Sequence, residues 1–185
     1  MHEEHHGHGP RPQLVPARNS RPPLAQAALG VGVLVQDGQR RILLGRHHSG
    51  TWELPGGKVD PTHESIAAAA VRELREETGL AAAEREVRVF AMLHDAVHGI
   101  NRVTMAALVT IGDGTARVTE PHLISTWQWI RPEDLPAPLF DPSAQIIAAW
   151  RPDLGITHPP VHRLDIAAGG ITASAESIQP QPYTH

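Results

Sequence analysis

The stretch RELREETGL, residues 72–80, sets three carboxylates, Glu73, Glu76 and Glu77, within about one turn of a helix-forming segment. Like charges three or four residues apart destabilise a helix by roughly 0.2–0.5 kcal/mol per pair. Two kinds of chemistry tolerate such a cluster. In one, the carboxylates are a solvated face, paired at little gain with Arg72 and Arg75. In the other they are oxygen ligands for a hard divalent cation, which favours carboxylates, backbone carbonyls and water. The ion would then hold the phosphates of a ligand for displacement at phosphorus. Spacing alone favours the solvated face. The neighbouring LPGGKVD segment shifts the balance, because Gly56 and Gly57 let other groups approach their backbone closely. Lys58, which follows them, is the only lysine beside fifteen arginines. A compact point charge retained at one position suits phosphate contact.

Sequence patterning predicts the elements that hold these residues. In THESIAAAAVRELREETGL, residues Ile66, Ala67, Ala70, Val71, Leu74 and Thr78 form one apolar stripe at helical spacing, with Glu73 and Glu77 on its flank and Glu76 beside them. Thr62 is the expected N-cap and Gly79 the C-terminal stop. ALGVGVLVQ and RRILLGRH read as two strands joined at Asp37-Gly38, and TWELPGG as a short strand ending in a turn. EVRVFAMLHDA and NRVTMAALVTI read as paired strands around VHGI. STWQWI is a further strand whose Trp127 and Trp129 share a face and are read as core residues. RPEDL is a turn, and DPSAQIIAAW is a closing helix with Asp141 as cap and Pro142 in the first position. The order β-β-β-α-β-β-β-α implies an α/β domain with a mixed sheet covered by helices.

Composition narrows the functional classes. With no cysteine, disulfides, zinc-thiolate sites and thiol nucleophiles are excluded. A net charge of −4 argues against a general binder of nucleic-acid polymers. No apolar run approaches the ~20 residues that span a bilayer, and the first residues lack a signal-peptide pattern, so the expected setting is the cytoplasm without membrane partners. Residues 1–24, rich in His, Pro and Arg, are expected to form a disordered tail, and its His2, His5, His6 and His8 a solvated group rather than a metal site. The domain is expected over 25–151. Residues 152–185 read as an extended C-terminal segment, packed on the domain or on a partner subunit.

The segment GGKVDPTHESIAAAAVRELREETGL, residues 56–80, resembles the signature of the Nudix hydrolases. The match from Glu64 through Arg72, Glu73, Leu74, Glu76, Glu77, Gly79 and Leu80 is complete, and one departure precedes it. Six residues, not five, separate Gly57 from Glu64, because Thr62-His63 stands where relatives usually carry one glycine. The resemblance implies a Nudix fold, an α/β/α sandwich with a mixed β-sheet. It also implies Mg²⁺, with Mn²⁺ as an alternative, on Glu73, Glu76, Glu77 and the Gly56 carbonyl. Arg72 and Glu64 would be the pair that orients the helix carboxylates. Gly57 and Lys58 would lie against the substrate phosphates. The general base varies in the family: Glu76 and Glu77 are candidates on the helix, and Glu120 is the off-helix candidate, with His94 and His98 behind it.

GTWELPGGK, RVTMAALVT and EPHLISTWQWIRPEDLPAPLF resemble the MutT-like, nucleotide-pool branch of the family. That resemblance spans roughly residues 27–150. It implies hydrolysis of a (deoxy)nucleoside triphosphate to a monophosphate and pyrophosphate, by water attack at phosphorus. Leu54, Thr104, Phe140 and His47 would surround the base, and Arg46 would lie near phosphate or base. Ordinary packing is an equal reading for Leu54, Thr104 and Phe140. A homodimer is one assembly found in this branch. Hydrolysis of another nucleoside diphosphate derivative stands as the alternative, and a non-catalytic sensor as a remoter one.

Overall fold

The computed structural model describes residues 27–112, 114–167 and 170–172, so the expectations for residues 1–24 and for the end of the chain lie outside the described residues. The first half supplies strands β1 (Ala27–Asp37), β2 (Ile42–His47), β3 (Trp52–Glu53) and β4 (Gly56–Lys58), then helix α1 (Ile66–Thr78). The second half supplies β5 (Arg88–Val97), β6 (Ile100–Ile111), β7 (Ile124–Ile130), helix α2 (Asp141–Trp150), β8 (His162–Ala167) and β9 (Gly170–Thr172). The sheet runs β3-β2-β1-β6-β5-β8-β9, with β4 also paired to β1 and β7 to β2. β1 and β6 run parallel, from Ala27 opposite Asn101 to Asp37 opposite Ile111, while β5 and β6 are antiparallel. The sheet is therefore mixed.

Alternation along β1 makes the sandwich. Val31, Val33 and Val35 point to one face and pack with Ala69, Ala70 and Leu74 of α1 and with Leu43, Ala107 and Val109. Leu34 points to the other face, where Ile42, Leu44 and Ala106 meet Ile146 and Ile147 of α2. Gly32 lies on that second face, and a Cβ there would stand 2.3 Å from Ile146 Cδ1. Glycine thus lets α2 sit directly on β1. The two tryptophans, read from the sequence as core residues, are half-buried and pack against this α1-side cluster.

Several local expectations are corrected. Ser65, not Thr62, caps α1, its hydroxyl accepting from Ala68 N–H at 2.9 Å. Thr62 is spent one turn earlier, donating its N–H (2.8 Å) and hydroxyl (2.5 Å) to Asp60. The inserted residue is absorbed at His63, which takes φ +75°, the left-handed conformation that glycine adopts freely. Ala69 replaces Ala67 in the buried stripe. In α2 the cap position falls on Phe140, with Asp141 and Pro142 inside the first turn. The Gly56-Gly57 turn is itself a short strand against β1. The C-terminal segment adds β8 to the edge of β5, with Ala91 opposite Asp165 and His94 opposite His162. An edge of unpaired backbone groups accepts any strand that can reach it, which is why no periodicity announced this one.

Candidate active site

The C-terminal half of α1 is fastened to what surrounds it. Gly79 turns left-handed (φ +70°) and its N–H donates to the Arg75 carbonyl at 3.0 Å. The last carbonyls, which a helix leaves without internal partners, are taken up by other segments. Trp127 Nε1 donates to the Glu77 carbonyl (3.1 Å), the Arg117 N–H to that of Thr78 (2.8 Å), and the Thr119 hydroxyl to that of Glu76. The loop carrying Arg117 and Thr119 is thereby pinned to the helix end, and Glu120 follows directly.

Arg72 organises the other flank. Its Nε and Nη2 clamp both oxygens of Glu64 at 2.8 and 3.0 Å. Nη1 reaches Glu73 (2.8 Å) and Glu76 (3.2 Å), and Nη2 also donates to the Lys58 carbonyl (2.9 Å). The Glu64 carboxylate, further bonded by Asp60 N–H, is held below its ordinary pKa, first by Arg72. Arg72 in turn is held more firmly protonated by Glu64 and Glu73. The extra loop residue therefore leaves the Glu64–Arg72 pair intact.

Glu77 turns into the domain. Its carboxyl group accepts from the Gly56 N–H at 3.0 Å. Burial pushes its pKa up to about 8, a rise that the neighbouring charges of Glu73, Glu120 and Glu53 add to and the Gly56 bond only partly offsets. Glu53, which sequence reasoning left unassigned, is likewise raised by burial and moderated by His47. The only signal for it in the sequence was its place one residue past Trp52 in the strand leading to the glycines. Gly57 completes the enclosure: a Cβ there would stand 2.3 Å from Glu73 Oε1. A carboxylate thus occupies the room that a side chain would take.

This donor set suits a hard divalent cation. Burial, added to by the charges of Glu73, Glu120 and Glu53, drives Glu77 toward its neutral form, and a cation is the partner that would relieve it. Among the described residues no three acidic or imidazole groups stand as a cage for an ion, and Glu73 and Glu76 are paired with Arg72.

On the other side of β4 lies a pocket of about 300 Å³, lined by Phe140, Pro142 and Ile146, by β1 from Ala28 to Gly32 and by the glycines of β4. Lys58, Arg102, Thr104 and Ser143 give it polar edges. Gly56, Gly57 and Lys58 border both this pocket and the carboxylates. Of the residues expected around a base, Thr104 and Phe140 line the pocket. Leu54, Arg46 and His47 lie outside its lining. Leu54 is core, 6% exposed, its N–H bonded to Ser143 Oγ (2.9 Å). Arg46 lies 5.8 Å over the Trp52 ring, and His47 bonds Ser49 at 2.8 Å. His94 stacks on His162 and His98 occupies the β5–β6 turn at φ +51°.

The sequence model of one family, described as the NUDIX domain, matches residues 27–150. This chain belongs to the Nudix family. A MutT Nudix hydrolase from Burkholderia pseudomallei, of known crystal structure, is 31% identical, with a TM-score of 0.59 over 67% of this chain and 98% of that one. An RNA pyrophosphohydrolase from Novosphingobium aromaticivorans is 29% identical over 127 residues, 57% of this chain and 78% of the relative. A putative 8-oxo-dGTP diphosphatase from Bacillus subtilis is 47% identical over 51 residues, 28% of this chain, which spans only 34% of that protein. The protein is thus a Nudix hydrolase of nucleotide diphosphate derivatives, a family that generally uses divalent metal ions. Among the described residues no helix is long and apolar enough to cross a membrane.

Proposed function

We propose that this Nudix protein hydrolyses a (deoxy)nucleoside triphosphate to the monophosphate and pyrophosphate, with Mg²⁺ or Mn²⁺ as the cation. The observation that carries the reading is the shared border. The Gly56–Lys58 strand has the glutamate cluster on one side and a base-sized apolar pocket on the other. Glu73, Glu76, Glu77 and the Gly56 carbonyl would hold the cation, which when bound neutralises the phosphates and the developing charge at phosphorus. Arg72, clamped by Glu64, sets the rotamers of Glu73 and Glu76. Lys58 makes no ion pair among the described residues and contacts phosphate. Glu120, presented by the pinned loop, takes the proton from the attacking water. Phe140, 43% exposed at the pocket rim, offers its ring to the base.

The relation to an RNA pyrophosphohydrolase favours a second reading, the triphosphate end of an RNA, although a net charge of −4 gives a polymer little to hold. A panel of four deoxynucleoside triphosphates, ADP-ribose and a 5′-triphosphorylated oligonucleotide, each with Mg²⁺, separates these readings. Pyrophosphate release from a free triphosphate is expected. Cleavage of ADP-ribose to AMP, or of the oligonucleotide, with no triphosphate turned over would replace the proposal.

A further inference from the structure

The polar wall of the base pocket is unequal. Ser143 is buried and its hydroxyl is already engaged by the Leu54 N–H. Thr104 is 7% exposed. Arg102, two residues before Thr104 on the same face of β6, is different. Its Nε and Nη2 donate to the two oxygens of Asp95, directly across on β5, with the Nε bond at 2.9 Å. Asp95 has only 9% of its side chain exposed and is gripped from α2 as well, by Gln145 Nε2 at 3.0 Å. Gln145 is itself 2% exposed. Burial raises the Asp95 carboxyl, yet its bonds to Arg102 and Gln145 outweigh that and hold it ionised.

The consequence for Arg102 is geometric. A guanidinium carries five N–H groups in a fixed plane. The carboxylate takes the edge formed by Nε and Nη2, and the end-on edge, one N–H from each Nη, has no partner among the described residues. Asp95 also cancels the charge, so the pair presents a neutral, donor-only fork to an apolar pocket. Such a fork suits an uncharged ring better than a phosphate, which Lys58 is placed to meet.

We propose that Arg102 is a specificity-determining residue. Held by Asp95 and Gln145 as positioning residues, it donates two hydrogen bonds to a base edge that carries acceptors only, as the O6 and N7 of a 6-oxopurine do. Adenine sets an amino donor where the oxygen should be and leaves one N–H of the fork unpaired. The inference rests on the pocket being the base subsite of the proposed triphosphatase.

The test is the ratio of kcat/KM for dGTP over dATP, with direct calorimetric titration of GMP and AMP in parallel. Wild type is expected to favour the oxopurine by tenfold or more in both. Arg102→Gln with Asp95→Asn replaces the ion pair by two neutral amides and leaves no buried lone charge. It should bring both ratios toward one by lowering the dGTP and GMP values, with dATP and AMP as the internal reference. Arg102→Lys keeps the charge against Asp95 but lacks the planar fork, and should lose the preference too, so the test stands if the double variant does not fold. Equal handling of GMP and AMP by wild type, or an undiminished preference in a folded Arg102 variant, would reduce Arg102 to a cross-strand tie. An Arg102-dependent preference for GMP in a protein that cleaves no triphosphate would sustain this inference and overturn the proposed function instead.

Discussion

Replacing Gly57 by alanine asks whether the glutamate cluster depends on that missing side chain. An alanine Cβ would lie 2.3 Å from Glu73 Oε1, 2.6 Å from Cδ and 2.8 Å from Oε2. Favourable contact between heavy atoms begins near ~3.5 Å, so the carboxylate must retreat by about 1 Å. The main chain itself has no objection, because Gly57 is not among the left-handed glycines. Stiffening the unfolded chain should add roughly 0.4–1 kcal/mol. Against this stands the weakened bond from Arg72 Nη1 to Glu73, of the charged kind worth ~1.5–3 kcal/mol. Arg72 is partly solvated and keeps Glu64, so the loss falls at or below the lower end. The net change in stability is then within about 2 kcal/mol, a melting shift of several degrees. Activity has no such compensation, since a displacement of about 1 Å in a catalytic group costs on the order of 100-fold. The variant should therefore fold, melt close to wild type and lose about two decades in kcat/KM with Mg²⁺. Wild-type turnover at an unchanged melting temperature would refute the placement of Glu73, and a collapse of the fold would refute the energetics.

The remaining predictions address the helix and its buried acid. In metal-free protein, Glu77 ionises near 4.5 when unfolded but at about 8 when folded, so stability must fall as pH rises across that window. Glu77→Gln cannot ionise; under chelator it should gain on wild type between those values, by about 5 kcal/mol at most and less if the site relaxes. Parallel denaturation curves at pH 5 and pH 9 would remove the buried-acid reading. The same variant should lose orders of magnitude in turnover and the rise in melting temperature that Mg²⁺ gives wild type. Ser65→Ala should cost about 1 kcal/mol through the lost cap, while Thr62→Ala, away from the helix end, should cost the helix nothing. His63→Gly should stabilise by up to ~1 kcal/mol in urea titrations by relieving the left-handed position.

How far the sequence could be read differs between the helix and its surroundings. Along α1, the apolar stripe, the three glutamates, Arg72, Glu64 and the terminating Gly79 all follow from spacing, because a helix repeats every 3.6 residues and fixes its own side-chain directions. The Asp37 turn and the β5–β6 hairpin were equally legible, since short-range turn chemistry sets them. The cap slipped from Thr62 to Ser65 because two local acceptors competed and Asp60 won the nearer one. Glu53 carried no pattern at all. It became a member of the cluster only when the fold brought it within electrostatic reach of Glu77.

By itself, then, the sequence determined the family, the carboxylate-bearing helix and the mixed sheet that helices must cover. Tertiary structure alone decided the rest. It moved Leu54, Arg46 and His47 off the pocket, brought Glu120 and Glu53 to Glu77, and set Arg102 on Asp95 and Gln145 at the pocket wall. The physical reason is distance along the chain. Groups within one helical turn are placed by the backbone's own geometry. Gln145 reaches across fifty residues to Asp95, and Trp127 across fifty to Glu77, through helix-on-sheet packing that no local pattern encodes.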